Sequence, residues 1–118
     1  MLIARVPAVP AFHVTSVENR RSIHIHGLDW RRMGAAPGIA GSPVPEQEGC
    51  FLALDEWTTD YFVEMNNTGG PVDVWAVHDV DEADLVVSPE GYLYLPGVIA
   101  PDRVRLVRKD VPPSTRWG

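Results

Sequence analysis

The sequence predicts an α+β domain in which two packed β-sheets carry helices at their flank. Two observations lead to this fold class. Both helix signals lie in or near the first half of the 118-residue chain, and the second half is mainly short apolar segments separated by turn residues. The length is that of one domain with its own core. We therefore treat residues 1–118 as a single domain, with an N-terminal arm at 1–10 and a tail at 112–118.

The first strand is predicted at Ala11–Val14, where apolar residues flank a histidine. Strand side chains alternate between the two faces of a sheet, so His13 and Thr15 project from the same face at the end of this strand. A strand that runs directly into a helix start is a favourable place to hold a polar or anionic ligand. The composition of the segment thus indicates a binding site.

The first helix is predicted at Ser16–His26, with a start signal and a stop signal. Thr15 and Glu18 stand three positions apart, as in a capping box, in which Thr15 accepts a hydrogen bond from the backbone N–H of Glu18. Gly27 tolerates the left-handed conformation that ends many helices. We expect the helix to end there.

A loop, a strand and a second helix are predicted next. Gly34–Glu48 is interrupted by glycine and proline throughout and is either a ligand-covering loop or a plain surface loop. Phe51–Leu54 follows as a short buried strand, and Asp55 is a good N-cap for the second helix. The apolar positions of this helix have helical spacing and are expected in the core: Trp57, Tyr61, Phe62 and Met65.

The remainder of the chain is predicted to be mostly β-structure. Asn66–Pro71 is a turn, and Ser88–Gly91 is a tight turn between two antiparallel strands. The expected strands are Val72–Val77, Leu85–Val87, Tyr92–Leu95 and Val104–Val107. Within the first of these, Asp73 is the one residue that interrupts an apolar run.

Charge and cysteine content restrict the functions that the chain can have. A net charge of −6 disfavours duplex nucleic acid as a target, although arginines cluster in the first third and near the end. The single cysteine, Cys50, has apolar neighbours and is expected to be a buried structural thiol. No apolar run is long enough for a membrane span, so we expect a cytoplasmic protein that does not bind membranes.

No metal site is predicted. His24 and His26 lie two apart on a helix and point in different directions. His78, Asp79 and Asp81 match no known spacing of metal ligands. We interpret both groups as solvated surface residues.

Two stretches of the chain carry a family resemblance. The first stretch contains, in order, Phe12, His13, Thr15, Asn19, Ser22, Ile23, Gly27 and Leu28. The second stretch, Leu85–Val107, has a Ser-x-x-Gly turn, an apolar strand, a proline-containing turn and a last strand. The first stretch resembles the opening, and the second the closing strands, of ADP-ribosyltransferase-fold proteins, in particular the DarT-type toxins and the C-terminal lobe of the RNA 2′-phosphotransferases.

The resemblance implies a split β-sandwich and NAD as cofactor. In the relatives the strand histidine contacts the NAD-derived ribose, and the neighbouring backbone holds the nicotinamide amide. Carried over, His13 and Thr15 hold the nicotinamide ribose and the backbone of Val14 holds the carboxamide. Arg20 or Arg32 meets the pyrophosphate. The residues expected to cover the dinucleotide are Gly38, Ile39, Gly41 and Ser42.

A third catalytic element is less well defined. Many transferases have a glutamate before the last strand pair, and Tyr92 falls at that position here, with Glu90 two residues earlier in an exposed turn. Glu82 and Asp84 are further candidates, and the phosphotransferases lack this glutamate altogether. The aromatic residue that stacks on nicotinamide is predicted to be Phe51 or Tyr61, both of which also suit the core; the named residues are thus alternatives rather than a defined triad.

The sequence therefore predicts a small NAD-using ADP-ribosyltransferase or NAD glycohydrolase, with a toxin-type effector as a special case. The acceptor is expected to be a protein or a small molecule rather than duplex nucleic acid, and a toxin would have an antitoxin as partner. The alternative is a non-catalytic domain of the same fold that binds NAD, another nucleotide or a protein. The missing glutamate and the short chain favour that alternative.

Overall fold

Two three-stranded antiparallel sheets and two α-helices make up the part of the chain that the computed structural model describes, namely residues 9–32, 49–65 and 70–112. The strands are β1 (Val9–Ser16), β2 (Gly49–Phe51), β3 (Val72–Val80), β4 (Val86–Val87), β5 (Leu93–Pro96) and β6 (Val104–Val111). The helices are α1 (Arg20–His26) and α2 (Glu56–Glu64), and short 3-10 turns lie at Val17–Asn19, Trp30–Arg32, Glu82–Asp84 and Pro101–Arg103.

The two sheets have the strand orders β1-β3-β6 and β2-β5-β4 and meet at one edge of β1. There Phe12 and Ala53 form an antiparallel bridge, with N–H to O distances of 2.8 Å in both directions. Through this bridge the strands follow one another as β4-β5-β2-β1-β3-β6. The predicted α+β class with two sheets is therefore confirmed, and both sheets are antiparallel.

The core lies between the two sheets and α1. Its nine buried residues come from both sheets, from α1 and from the segments beside them: Ala11, Ile23, Leu28, Cys50, Leu52, Trp75, Val77, Val80 and Ile99. Cys50 is only 2% exposed, as predicted for a structural thiol. Burial raises the pKa of this thiol to about 12, so it is protonated and unreactive at neutral pH.

The start of the first helix differs from the prediction by one residue. Ser16, not Thr15, caps the 3-10 turn that leads into α1, and its Oγ accepts from the N–H of Glu18 at 3.2 Å. The 3-10 turn begins only at Val17, so Ser16 is the residue in the cap position. The Oγ1 of Thr15 instead accepts from Nδ2 of Asn19 at 2.9 Å. The predicted capping box is wrong for this reason.

The predicted end of the first helix is confirmed. The N–H of Gly27 donates to the carbonyl of Ile23 at 2.8 Å, and Gly27 has a φ of +74°. A Cβ at this position would lie 2.0 Å from the carbonyl oxygen of Ile99. Leu28 and Ile99 then exchange backbone hydrogen bonds, which fixes the end of α1 against the segment before β6.

The second helix begins as predicted, but its apolar stripe is only partly in the core. Asp55 is the N-cap, and its Oδ1 accepts from the N–H of Thr58 at 2.6 Å. Phe62 is buried, whereas Trp57 is 75% exposed and Met65 is also exposed. The helix has nine residues and buries only Thr59 and Phe62, so the prediction that Trp57 and Met65 are core residues is wrong.

The strands of the second half lie where the sequence predicts them, with shifted ends. β3 continues to Val80 and β6 to Val111. The predicted N-terminal arm is too long, because Val9 pairs with Val80 and already belongs to β1. The predicted loop Gly34–Glu48, most of the turn Asn66–Pro71 and the end of the tail lie outside the described residues. Within the described segments, each helix is too short or too polar to traverse a lipid bilayer.

Candidate functional site

His13 lies on β1 opposite Trp75 of β3, on the face that contributes to the core. Its side chain is buried, and Nδ1 lies 2.8 Å from the carbonyl oxygen of Phe51. A carbonyl only accepts, so Nδ1 carries the proton and Nε2 is left as an acceptor. Burial lowers the pKa of His13 more than the hydrogen bond to Phe51 raises it, so the ring is neutral at physiological pH. Nε2 makes no hydrogen bond with any described residue.

The edge of β1 beside His13 carries an open peptide group. Residues two apart in a strand point their backbone groups to the same edge, so the N–H and C=O of Val14 face the edge that Phe12 uses to bond Ala53. In the segments that the structure describes, nothing bonds either group of Val14. Beyond Phe12, a donor and an acceptor thus lie side by side on an edge of β1 that no described segment pairs.

Thr15 follows on the same strand and is engaged locally. Its Oγ1 accepts from Nδ2 of Asn19 at 2.9 Å, which ties the end of β1 to the turn before α1. A threonine hydroxyl has one donor and further acceptor capacity. Its hydrogen therefore stays available, because in this bond Thr15 is the acceptor.

Tyr92 and His13 both contact Phe51, the one through the ring and the other through the backbone carbonyl. The Phe51 ring contacts the Tyr92 ring edge-on at a centroid distance of 6.1 Å, while the Phe51 carbonyl accepts from His13. Tyr92 also lies against Phe62, with centroids 5.5 Å apart, and its Oη is 3.2 Å from Oη of Tyr61. We call the rings joined in this way the aromatic cluster: Phe51, Trp57, Tyr61, Phe62, Tyr92 and Tyr94.

Glu90 lies in the turn between β4 and β5, and its side chain is exposed, as the sequence predicts. The turn is closed by Ser88, whose N–H donates to the carbonyl of Tyr92 and whose Oγ accepts from the N–H of Tyr92. Ser88 therefore fixes the position of Tyr92. Glu82 and Asp84 lie exposed in the 3-10 turn before β4.

Arg20 is bound by carboxylates of its own fold. Its Nε and Nη2 lie 2.7 and 2.8 Å from the two oxygens of Asp73, and Nη2 is 2.6 Å from Asp110. Burial alone would raise the pKa of Asp73, but Arg20 and the N–H of Asp110 outweigh it and hold that pKa below the ordinary value. Arg20 thus ties α1 to β3 and β6, and its charge is balanced within the fold.

Arg32 belongs to a cluster with a surplus of positive charge. Asp29 is almost fully buried. Its carboxylate forms ion pairs with Nε of Arg31 at 3.0 Å and with Nε of Arg32 at 3.2 Å. The hydrogen bond from Arg31 is the main cause that lowers the pKa of Asp29. Two exposed guanidiniums share one carboxylate, so among the described residues of this cluster one positive charge is in excess.

Four predicted site residues lie outside the described part of the chain: Gly38, Ile39, Gly41 and Ser42. Of the others, Val14 and Thr15 follow His13 on β1, and Phe51 contacts both His13 and Tyr92. Arg20 is bound to Asp73, the ladder partner of Thr15, and Glu90 is exposed in its turn. Metal-type clusters of histidine, cysteine and carboxylate residues are absent from the described segments.

Sequence reasoning missed the partner of Arg20 and the exposure of Trp57. Asp73 within an apolar strand was the one available signal, because a buried carboxylate needs a cation. Nothing in the sequence indicates which arginine supplies it, since the two residues are 53 positions apart.

No protein-family model, no curated protein and no solved structure matches this chain. The resemblance to ADP-ribosyltransferase-fold proteins therefore stays a prediction. Function has to be derived from the chemistry of the residues around His13.

Proposed function

We propose that this protein is a small NAD-using ADP-ribosyltransferase or NAD glycohydrolase with a split β-sandwich fold. The observation that carries the proposal is the open peptide group of Val14 beside the buried His13. A primary carboxamide such as that of nicotinamide carries an NH₂ donor group beside a carbonyl acceptor. The C=O of Val14 can accept from one of its N–H groups while the N–H of Val14 donates to its oxygen, which gives two hydrogen bonds. The junction of the two sheets at Phe12 and Ala53 supports the split arrangement of the fold.

The neighbouring side chains suit the ribose next to that carboxamide. The neutral His13 ring offers Nε2 as an acceptor for a ribose hydroxyl, and the ring cannot turn away while Nδ1 is bonded to Phe51. Phe51 and Tyr92 would line one side of this site with their packed rings. NAD, when bound, supplies an activated glycosidic bond, and its cleavage releases nicotinamide while the ADP-ribosyl group passes to an acceptor nucleophile or to water.

The pyrophosphate is better matched by Arg32 than by Arg20. Asp73 and Asp110 balance the charge of Arg20. Arg32 shares Asp29 with Arg31, and both guanidiniums are more than half exposed. A surplus positive charge in contact with solvent attracts a dianionic pyrophosphate. We therefore assign the pyrophosphate end of the site to Arg31 and Arg32.

One observation favours the alternative, a non-catalytic binding domain. At the start of β5, where the resemblance predicts a glutamate, the side chain is the phenol of Tyr92, held in the aromatic cluster. A phenol orients a hydroxyl but does not supply the negative charge that stabilises an oxocarbenium-like transition state. A protein with this site would bind NAD and respond to it without consuming it.

The proposal is tested by titrating NAD into the purified protein by calorimetry and following nicotinamide release in the same samples. The variants are His13→Ala and, as a matched control, His26→Ala, whose side chain is exposed at the end of α1. Binding that is lost in His13→Ala but kept in His26→Ala, with nicotinamide released, would establish the enzyme. The same binding without release favours the binding domain. Absence of binding at millimolar NAD would refute both.

A toxin role makes a separate prediction about growth. Expression of the wild-type chain should arrest growth, and His13→Ala should relieve the arrest at equal protein level. Normal growth with wild-type protein would remove the toxin case and leave the NAD proposal to the titration.

A further inference from the structure

Trp57 is the most exposed large hydrophobic side chain of the described residues, with 75% of its surface accessible. It lies in the first turn of α2 and stacks on Tyr61, with ring planes 8° apart and centroids 5.9 Å apart. Tyr61 covers one face of the indole, so the opposite face is open to solvent. An indole held flat in this way offers a fixed π surface.

The aromatic cluster connects this surface to the interior. Tyr61 contacts Tyr92 with centroids 6.4 Å apart, and Tyr92 contacts Phe51, whose carbonyl accepts from His13. The stack of Trp57 on Tyr61 is therefore anchored on packed rings rather than on a mobile side chain. Fixing an aromatic residue before binding reduces the entropy that a ligand must remove.

The carboxylates next to Trp57 differ from the others on the same helix. Asp60, further along α2, is paired with Arg108 at 2.9 Å. Asp55 and Glu56 immediately precede Trp57, are exposed, and have no cation partner among the described residues. The hydrogen bond from the N–H of Thr58 is the main cause that lowers the pKa of Asp55, which is therefore charged at neutral pH. Two exposed carboxylates without a cation partner among the described residues thus directly precede the exposed indole in the chain, at the start of α2.

We propose that Trp57, with Asp55 and Glu56, is a docking surface for an arginine side chain on a basic segment of a partner protein. A guanidinium stacks flat on an indole and at the same time donates to carboxylates at its edge. A nucleobase would also stack on Trp57, but its phosphates would be repelled by Asp55 and Glu56. The surface is independent of NAD, so the protein uses it whether or not the site at His13 is catalytic.

The test uses ¹⁵N-labelled protein without NAD and follows the backbone N–H signals of α2, which every variant retains, together with the indole Nε1–H signal of Trp57, identified by its absence in Trp57→Ala. A short peptide with one arginine among glycines and serines is titrated, beside the same peptide with citrulline, which keeps the plane and lacks the charge. The third probe is a single-stranded oligothymidylate. We expect the arginine peptide to shift the Trp57 signal and the citrulline peptide to bind about tenfold more weakly or worse.

Two variants and two matched controls locate the surface. Trp57→Ala and Glu56→Gln should each weaken binding of the arginine peptide, and Trp57→Ala should do so by about tenfold. Ile25→Ala removes another exposed apolar side chain, on α1, and Glu82→Gln removes an exposed carboxylate before β4; both should leave binding unchanged. Peptide binding that is the same in Trp57→Ala, or the same for citrulline, would overturn the proposal. So would preferential binding of the oligothymidylate, or no shift at millimolar peptide.

Discussion

The imidazole Nδ1 of His13 donates to the backbone carbonyl of Phe51, 2.8 Å away, and thereby joins the first strand of one sheet to the first strand of the other. The bond orients a neutral ring whose second nitrogen remains an acceptor. Its position at the junction also means that the protonation state of one side chain bears on the stability of both sheets.

Acidification is expected to destabilise the fold through His13. Burial lowers the pKa of His13 below its ordinary 6.5, so the unfolded chain binds this proton more tightly than the folded chain. The contribution of His13 to stability is present above pH 6.5 and is lost as the pH falls from there through the folded-state pKa. The slope of the unfolding free energy should reach at most about 1.4 kcal/mol per pH unit in this window.

Urea unfolding at a series of pH values checks this dependence. As the pH falls below 6.5, the unfolding free energy of wild type should decrease more steeply than that of His13→Gln. His26→Gln, in an exposed position, should keep the wild-type slope. A slope that His13→Gln leaves intact would show that another group is responsible.

Replacement of Val14 by proline tests the open strand edge. Proline removes the N–H that points away from β3, so the pairing of β1 with β3 is kept while one of the two proposed carboxamide contacts is lost. We expect NAD binding in calorimetry to be abolished and the unfolding free energy to fall only modestly. Val14→Ala, which trims the side chain alone, should bind NAD like wild type.

Thr15→Pro is the complementary change. The N–H of Thr15 faces β3, so proline there removes a ladder hydrogen bond, leaves its carbonyl acceptor unsatisfied and should cost about 1–3 kcal/mol of stability. Equal destabilisation by the two prolines would contradict the assignment of edges. Undiminished NAD binding in Val14→Pro would contradict the carboxamide contact.

Loss of the Asp73 carboxylate should destabilise the protein strongly. Asp73 is fully buried and accepts from Arg20 and from the N–H of Asp110. Asp73→Asn leaves the guanidinium without its buried partner, and we expect a loss of about 2–3 kcal/mol in urea unfolding. Asp60→Asn breaks the exposed pair with Arg108 and should change stability little. Equal losses of unfolding free energy in the two variants would mean that the buried ion pair stabilises the fold no more than a surface ion pair does.

Gly27 is expected to tolerate no side chain. Alanine at Gly27 would have a positive φ and place its Cβ 2.0 Å from the carbonyl oxygen of Ile99. Gly97 also has a positive φ, but nothing lies within 4 Å of its Cβ position. Gly97→Ala should therefore cost only the backbone strain, about 1 kcal/mol, and Gly27→Ala clearly more. Equal shifts of the thermal midpoint would show that the contact with Ile99 relaxes freely.

Signals from residues close together in the sequence predicted the helices and strands well. They did not predict contacts between residues that are far apart in the sequence. Asp55 as a cap, Gly27 as a stop and the apolar run of β3 each reflect chemistry within a few positions of the chain. The exposure of Trp57 depends on how α2 lies on the sheet, which the helical period does not specify. For the site, the sequence predicted that His13, Val14 and Tyr92 matter, and the structure supplies Phe51 as the residue through which His13 and Tyr92 meet.

The pairing of β1 with β3 has a consequence for how the chain folds. β1 is the first described strand, yet its ladder partner follows only after β2 and α2, and Arg20 and Asp73, which reinforce the same region, are 53 positions apart. Large loops must close before either contact forms, so we expect refolding on the order of milliseconds to seconds rather than microseconds. During synthesis, β1 has to wait for its ladder partner until β3 has left the ribosome.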